Sequence, residues 1–159
     1  NIGLENYLFN NLKIKLKRSS VGDINVINEM RKHNSILGGE QSGHIILSEY
    51  SKTGDGILAA LKVTEIISIL KKPVSSIFNL YNNFPQIKIN IPYTKISKNC
   101  LKYIKNLNNK KIKDKNIRLL IRLSGTEPLI RILVEGKDLE LVQAKAKRIE
   151  KDIRINLGK

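Results

Sequence analysis

The sequence predicts an α/β protein built as two units in tandem: a layered α/β domain with a largely parallel sheet, then a small α+β domain of order βαββα. Three observations carry this. Helix-period apolar stretches alternate with short apolar runs over the first 72 residues. Gln86-Ile87-Lys88-Ile89-Asn90-Ile91 then alternates as a strand does. Two further apolar runs, about 117–123 and 129–135, flank a short polar loop and lead into a long amphipathic stretch. At 159 residues, 41% of them hydrophobic, the chain is large enough for one medium domain or two small ones.

Taken in order, Leu4, Leu8 and Leu12 predict a helix over about 3–12. Lys13-Ile14-Lys15-Leu16-Lys17 alternates like a half-buried or edge strand. Asp23 is the expected N-cap of a second helix with Val26, Ile27 and Met30 on one face. Ile45-Ile46-Leu47 reads as a buried strand. A strong helix is expected over about 55–71, carrying Ile57, Leu58, Leu61, Ile66, Ile69 and Leu70, and Pro73 closes it. A short helix is expected within 74–83, then the strand at 86–91, a helix over about 96–108, the two strands, and a closing helix over about 138–156. Leu139, Leu141, Val142, Ala146, Ile149 and Ile153 form the apolar stripe expected for that last helix.

No apolar run approaches the roughly 18–20 residues of a membrane span. The lone Cys100 excludes an internal disulfide and fits a reducing, cytoplasmic compartment, where it is expected to be partly buried and inert. Asn1-Ile2-Gly3-Leu4-Glu5 has neither a start Met nor a signal-peptide pattern, so the sequence is expected to begin inside a longer protein. The formal net charge of +15 comes largely from Lys spread along the chain. Single-stranded nucleic-acid binders interleave aromatics with such charge, and here aromatics are only 5% with no Trp. Nucleic acid is therefore not the expected partner; a small phosphate or polyanion is. The basic run Lys110-Lys111-Ile112-Lys113-Asp114-Lys115 reads as a solvated loop.

Two loops carry the chemistry. In Gly39-Glu40-Gln41-Ser42-Gly43-His44, a carboxylate, an amide and a hydroxyl lie between glycines, a set that matches vicinal sugar hydroxyls. An ordinary polar turn is the other reading of the same residues. His33 and His44 lack partners at metal-ligand spacing, so no metal site is expected in this chain. In Arg122-Leu123-Ser124-Gly125-Thr126-Glu127-Pro128, a guanidinium, two hydroxyls and a glycine suit a dianionic phosphate. The two-residue spacing puts Arg122, Ser124 and Thr126 on one side if the strand continues into the loop. A plain hairpin turn with surface Arg is the alternative. Glu127 is placed to pair with an Arg, and the Walker pattern is absent.

Gly39-Glu40-Gln41-Ser42-Gly43-His44, Thr53-Gly54-Asp55-Gly56-Ile57 and Arg122-x-Ser124-Gly125-Thr126-Glu127-Pro128-Leu129-Ile130-Arg131, in this order and spacing, resemble the α-D-phosphohexomutase superfamily. Val21-Gly22-Asp23 and Phe84-Pro85-Gln86 also fit its pattern, and Gln41 fits its glucosamine-type members. The resemblance covers nearly the whole chain. It implies that residues 1–72 are most of the family's third domain, an α/β/α sandwich made incomplete by a missing first strand. Residues 73–84 then form a linker helix, and 85–159 the fourth domain, with a TATA-binding-protein-like fold.

The resemblance further implies a reaction: transfer of a phosphoryl group between the C6 and C1 oxygens of a hexosamine phosphate, a step toward amino-sugar nucleotides and cell-wall precursors. Glu40 and Ser42 would recognise sugar hydroxyls, with His44 near the reacting hydroxyl and available for proton transfer. Arg122, Ser124, Gly125 and Thr126 would clamp the phosphate that does not react, Arg131 would support them, and Asp55 would cap a helix. The family's phosphoserine and its Mg²⁺-bearing Asp-rich loop have no counterpart here, so no catalytic or metal-binding residue is expected in this chain. The isolated chain is expected to be inactive, with hexosamine phosphate and the remaining domains, as a separate chain, as its partners. Ile24 stands where the family usually has a basic residue. The alternative reading is a non-catalytic phosphosugar-binding module or remnant.

Overall fold

A computed structural model describes residues 1–109 and 117–157. The run Lys110–Lys115 read as a solvated loop lies outside them. The elements are α1 (Ile2–Leu12), α2 (Asp23–His33), β1 (Leu37–Gly39), β2 (Ile45–Leu47), α3 (Gly56–Leu70), α4 (Val74–Phe78), β3 (Gln86–Pro92), α5 (Lys98–Asn109), β4 (Ile117–Leu123), β5 (Leu129–Gly136) and α6 (Leu139–Leu157). By contact the chain divides into Tyr7–Leu80 on the one hand, and Asn1–Asn6 with Tyr81–Lys159 on the other.

The unit Tyr7–Leu80 holds one two-stranded sheet, and it is antiparallel, with Leu37 opposite Leu47 and Gly39 opposite Ile45. The parallel sheet expected from the α/β alternation is thus corrected: five residues separate β1 from β2, enough for a hairpin but not for a crossover. Lys13–Lys17 is not a strand either, and Ile14 is exposed. Alternation marks a face; it does not supply the neighbour that a ladder needs.

Gly22, not Asp23, is the N-cap of α2, whose Val26 and Met30 pack on Ile46 of β2. A Cβ at Gly38 would lie 2.3 Å from Met30 Sδ and 2.8 Å from Val26 Cγ1, so glycine allows this close approach of helix and strand. Helix α3 is capped by Asp55 and stops at Lys71, whose φ of 50° is left-handed. Of the stripe predicted for α3 only Leu58 is half-buried, together with Val63 and Ile67 outside it, while Ile57, Leu61, Ile66, Ile69 and Leu70 are exposed.

In the other unit the sheet order is β3-β5-β4, antiparallel throughout. Ile130, Ile132 and Val134 alternate along the central β5 and bury one face against Cys100 and Ile104 of α5 and Val142, Ala146, Ile149 and Ile153 of α6. Leu139 and Leu141 are exposed, so the stripe of α6 begins at Val142. The side-chain amide of Asn108 bonds both ways with the Ile121 backbone, donating to its carbonyl at 2.7 Å and accepting its N–H at 3.0 Å. That contact occupies backbone groups on the outer edge of β4 and limits further strand pairing there. Tyr103 of α5 donates to Asp152 of α6 at 3.3 Å; burial, with the Asp152 charge, pushes its phenol up.

The opposite face of the same sheet carries the polar positions. Glu135 is fully buried there. Its Oε2 accepts from Gln86 Nε2 at 3.0 Å and from Arg118 Nη1 at 3.2 Å, and its Oε1 accepts the Ile2 N–H at the start of α1. A single carboxylate thus ties all three strands to the first residues of the chain.

Candidate functional site

The first polar loop closes the β1–β2 hairpin. Glu40 N–H donates to His44 O at 2.9 Å, and Gly43 N–H donates to Glu40 O at 3.1 Å. Gly43 has φ +101°, the position of a bulge glycine in a three-residue hairpin loop. The turn alone accounts for this glycine. Gln41, Ser42 and His44 are exposed at the tip, and Glu40 is half-buried below them. Glu40 Oε1 accepts the Gly22 N–H at 3.0 Å, and Oε2 lies 3.1 Å from His44 Nδ1. The Val21-Gly22-Asp23 segment and the loop are therefore joined through one carboxylate, a link that sequence spacing does not reveal. Asp55 accepts the Leu58 N–H at 2.9 Å, which makes it the cap of α3. Ile24 is exposed in the first turn of α2.

The second loop joins β4 to β5. Ser124 N–H donates to Leu129 O at 2.8 Å, and Leu129 N–H donates to Glu127 O at 2.8 Å. Tyr93 N–H reaches Pro128 O at 3.0 Å and ties the loop to the end of β3. Regular strand geometry ends at Leu123, so the alternation that aligned Arg122, Ser124 and Thr126 holds for the strand and not through the loop.

Register brings in a residue that spacing had left aside. Arg122 stands directly opposite Arg131, and Arg131 opposite Asn90. Like charges at directly opposed positions repel. Arg131 is compensated by Glu127, whose Oε2 lies 2.6 Å from Nη2, while the Arg131 Nε is buried with no hydrogen-bond partner. The Arg122 side chain makes no hydrogen bond or ion pair among the described residues. The loop mouth thus keeps one uncompensated guanidinium. Gly125 does not have a positive φ, and a Cβ built on it would meet nothing within 4 Å. Neither backbone strain nor packing requires glycine there. A ligand approaching the backbone would.

Residues 1–84 match the phosphoglucomutase/phosphomannomutase alpha/beta/alpha domain III, and residues 89–152 match the C-terminal domain of the same proteins. The chain belongs to the phosphoglucomutase/phosphomannomutase family. The phosphoglucosamine mutase of Fusobacterium nucleatum is 44% identical over 156 residues, covering 94% of this chain and 34% of the relative. That of Campylobacter fetus is 44% identical over 153 residues, covering 95% and 34%. This family member thus spans about a third of the length of the curated relatives it matches. Aspergillus fumigatus N-acetylphosphoglucosamine mutase superposes with a TM-score of 0.75 at 17% identity, over 99% of this chain and 37% of that one. An N-acetylglucosamine-phosphate mutase solved in its substrate complex gives 0.69 at 19%, over 96% and 37%. The fold is therefore the mixed α/β architecture of phosphohexomutase domains III and IV, realised here with two small antiparallel sheets. Among the described residues no helix is long and apolar enough to cross a membrane, and no three His, Cys, Asp or Glu side chains are grouped to hold a metal ion.

Proposed function

We propose that this chain supplies sugar and phosphate binding to a cytoplasmic phosphoglucosamine mutase, which interconverts glucosamine 6-phosphate and glucosamine 1-phosphate. The observation that carries the reading is the lone charge of Arg122 beside Arg131, at a loop whose glycine leaves room for a ligand. A phosphate dianion would bond the Arg122 fork, the Ser124 and Thr126 hydroxyls and the backbone at Gly125, and it would relieve the Arg–Arg repulsion. Arg131, held by Glu127, supports that charge from the next strand. Glu40, Ser42 and His44 face the sugar, within a third domain of residues 1–72, followed by a linker (73–84) and a fourth domain (85–159). Clamping the phosphate that does not react fixes the position of the hydroxyl that does.

The fungal N-acetylphosphoglucosamine mutase was solved with GlcNAc-6P and magnesium. On this reading the Mg²⁺ and the phosphoserine of the reaction are supplied by other polypeptide. Alone, the 159 residues bind but do not turn over. Calorimetric titration with glucosamine 6-phosphate tests the assignment. Losing a charge-assisted contact costs about 1.5–3 kcal/mol, so Arg122→Ala should bind about 10- to 150-fold more weakly. Equal affinity would overturn the phosphate site. Mutase turnover by the isolated chain would overturn the assignment of the reacting groups to other polypeptide.

A further inference from the structure

The helices that cover the C-terminal sheet carry a surface that the proposed site does not use. Helix α5 contains Lys98, Lys102 and Lys105 and no Asp or Glu. At about 100° per residue these three lie within about 60° of one another. All three are exposed, and they stand opposite Cys100, Ile104 and Leu107, which face the core. On α6 the buried stripe is Val142, Ala146, Ile149 and Ile153, and Lys147, Arg148 and Lys151 are exposed away from it. The two helices cover the same sheet face and meet through Tyr103 and Asp152, so both basic rows point away from the sheet. The nearby acids are occupied: Glu150 pairs with Arg154 at 2.8 Å, and Asp152 accepts the Tyr103 hydroxyl at 3.3 Å. Glu140 stands apart in the first turn of α6. Among the described residues, none of the six cationic side chains makes a hydrogen bond or ion pair.

Packed helix axes lie about 8–10 Å apart, within a Debye length at about 0.1 M salt, so these charges act on a facing surface as one field. Aliphatic side chains lie among them: Leu101 is 40% exposed, Leu141 52% and Ile155 48%. Leu101 is one turn from both Lys98 and Lys105, and Ile155 is one turn from Lys151. Tyr103, the only aromatic residue of either helix, is half-buried with its hydroxyl on Asp152, so no ring is offered for base stacking. A nucleic acid would use the cations and give the aliphatic side chains no partner. An anionic bilayer uses both, because its headgroups attract the cations and its interface takes up the aliphatic tips. We propose that the outer face of α5 and α6 is a peripheral docking surface for an anionic phospholipid membrane. Six cations fall within the range of about four to eight that marks such surfaces. Lysine suits the task, since its stem lies along apolar surface while its ammonium reaches the headgroups. The contact is peripheral: no helix among the described residues is long and apolar enough to cross a bilayer. Arg131 alternates with the buried Ile130 and Ile132, and Arg122 stands opposite it, so both lie on the other face of the sheet. A bilayer against the helices does not cover them.

Flotation of the 159-residue chain with vesicles of equal parts phosphatidylglycerol and phosphatidylcholine, at about 0.1 M salt, tests the proposal. The chain should float with these vesicles, remain behind with phosphatidylcholine alone, and dissociate as salt rises. No flotation with the mixed vesicles overturns the proposal. A basic residue near such a surface is worth about fivefold in affinity, so K98A/K102A/K105A should bind on the order of 100-fold more weakly. K15A/K17A/K52A removes the same charge from exposed positions of the other unit and should bind as the wild type does. An equal loss there shows that net charge binds and not this surface, and overturns the proposal. L101N/I155N keeps the charge and should also weaken binding; circular dichroism melts establish that it is folded, and if it is not, the lysine variants decide. Unchanged affinity of the folded variant overturns the choice of a bilayer. Tighter binding of duplex DNA through the same lysines, at the same salt, overturns it in favour of nucleic acid. The assay contains no phosphosugar, so it fails separately from the Arg122→Ala titration.

Discussion

Replacing Glu135 with Ala should destabilise the chain more than any single surface change. Glu135 is fully buried, and three donors converge on it: the Ile2 N–H, Gln86 Nε2 and Arg118 Nη1. Removing the carboxylate leaves Arg118, only 27% exposed, without that counter-charge, and leaves the Ile2 amide without its side-chain acceptor. Breaking a buried pair from one side costs about 3–5 kcal/mol. For a chain of this size each kcal/mol is worth about 2–4 °C, so the melting temperature should fall by about 6–20 °C. Glu135→Gln sharpens the argument. Both oxygens accept, so either orientation of the new amide turns an NH2 group toward a donor. The mispaired amide costs about 1–3 kcal/mol, less than Ala but well above zero. Circular dichroism melts and urea titrations measure both variants, and hydrogen exchange at Ile2 reports the local contact. A loss below about 1 kcal/mol for Glu135→Ala, with Ile2 exchange unchanged, would refute the account.

Cys100 is fully buried and burial pushes its thiol up, so a thiol reagent at neutral pH should label the unfolded chain and leave the folded one unmodified; prompt labelling in native buffer would contradict the packing. Gly38→Ala should cost about 1–3 kcal/mol in a urea titration, since Val26 Cγ1 sits 2.8 Å from the new methyl and is stiff; an unchanged midpoint would contradict the α2–β1 contact. Arg131→Ala should weaken glucosamine 6-phosphate binding twice over, removing a cation and freeing the Glu127 carboxylate beside the loop. Adding Glu127→Ala should recover about 0.2–1 kcal/mol of that loss, a modest figure because both side chains are partly exposed; no recovery in the titration would refute the pairing.

The two halves of the sequence were unequally legible, and strand length is the reason. Strand β3 has seven residues and β5 eight, long enough for period-2 alternation or a bounded apolar run to declare them, and α6 buries a regular stripe from Val142 to Ile153. Strand β1 is Leu37-Gly38-Gly39, three residues with two glycines, and carries no period at all. Gly43, which the bulge requires, reads in sequence as a ligand-binding glycine, and Gly38, which the packing requires, lies outside the loop that the sequence singles out. Lys13–Lys17 shows the converse: clean alternation with no ladder, because pairing is a property of two segments and the pattern belongs to one.

The candidate site divides along the same line. Which residue types suit sugar and phosphate follows from their chemistry, and those residues are where the loops are. What sequence could not supply is who faces whom. Arg122 and Arg131 lie nine positions apart, and only the β4–β5 register sets them opposite one another. Glu127 lies four residues before Arg131, yet it pairs across the loop and not along a helix. The same holds for Glu40 and His44, whose four-residue spacing on a helix would place them on one face and here closes a turn. In each case the fold assigns a carboxylate to one basic group and leaves another without one: Arg131 is neutralised beside Arg122, and His44 Nδ1 is engaged so that Nε2 is not. An anion requires a cation that the protein has not already satisfied, and a hydroxyl requires an acceptor that the protein has not already filled.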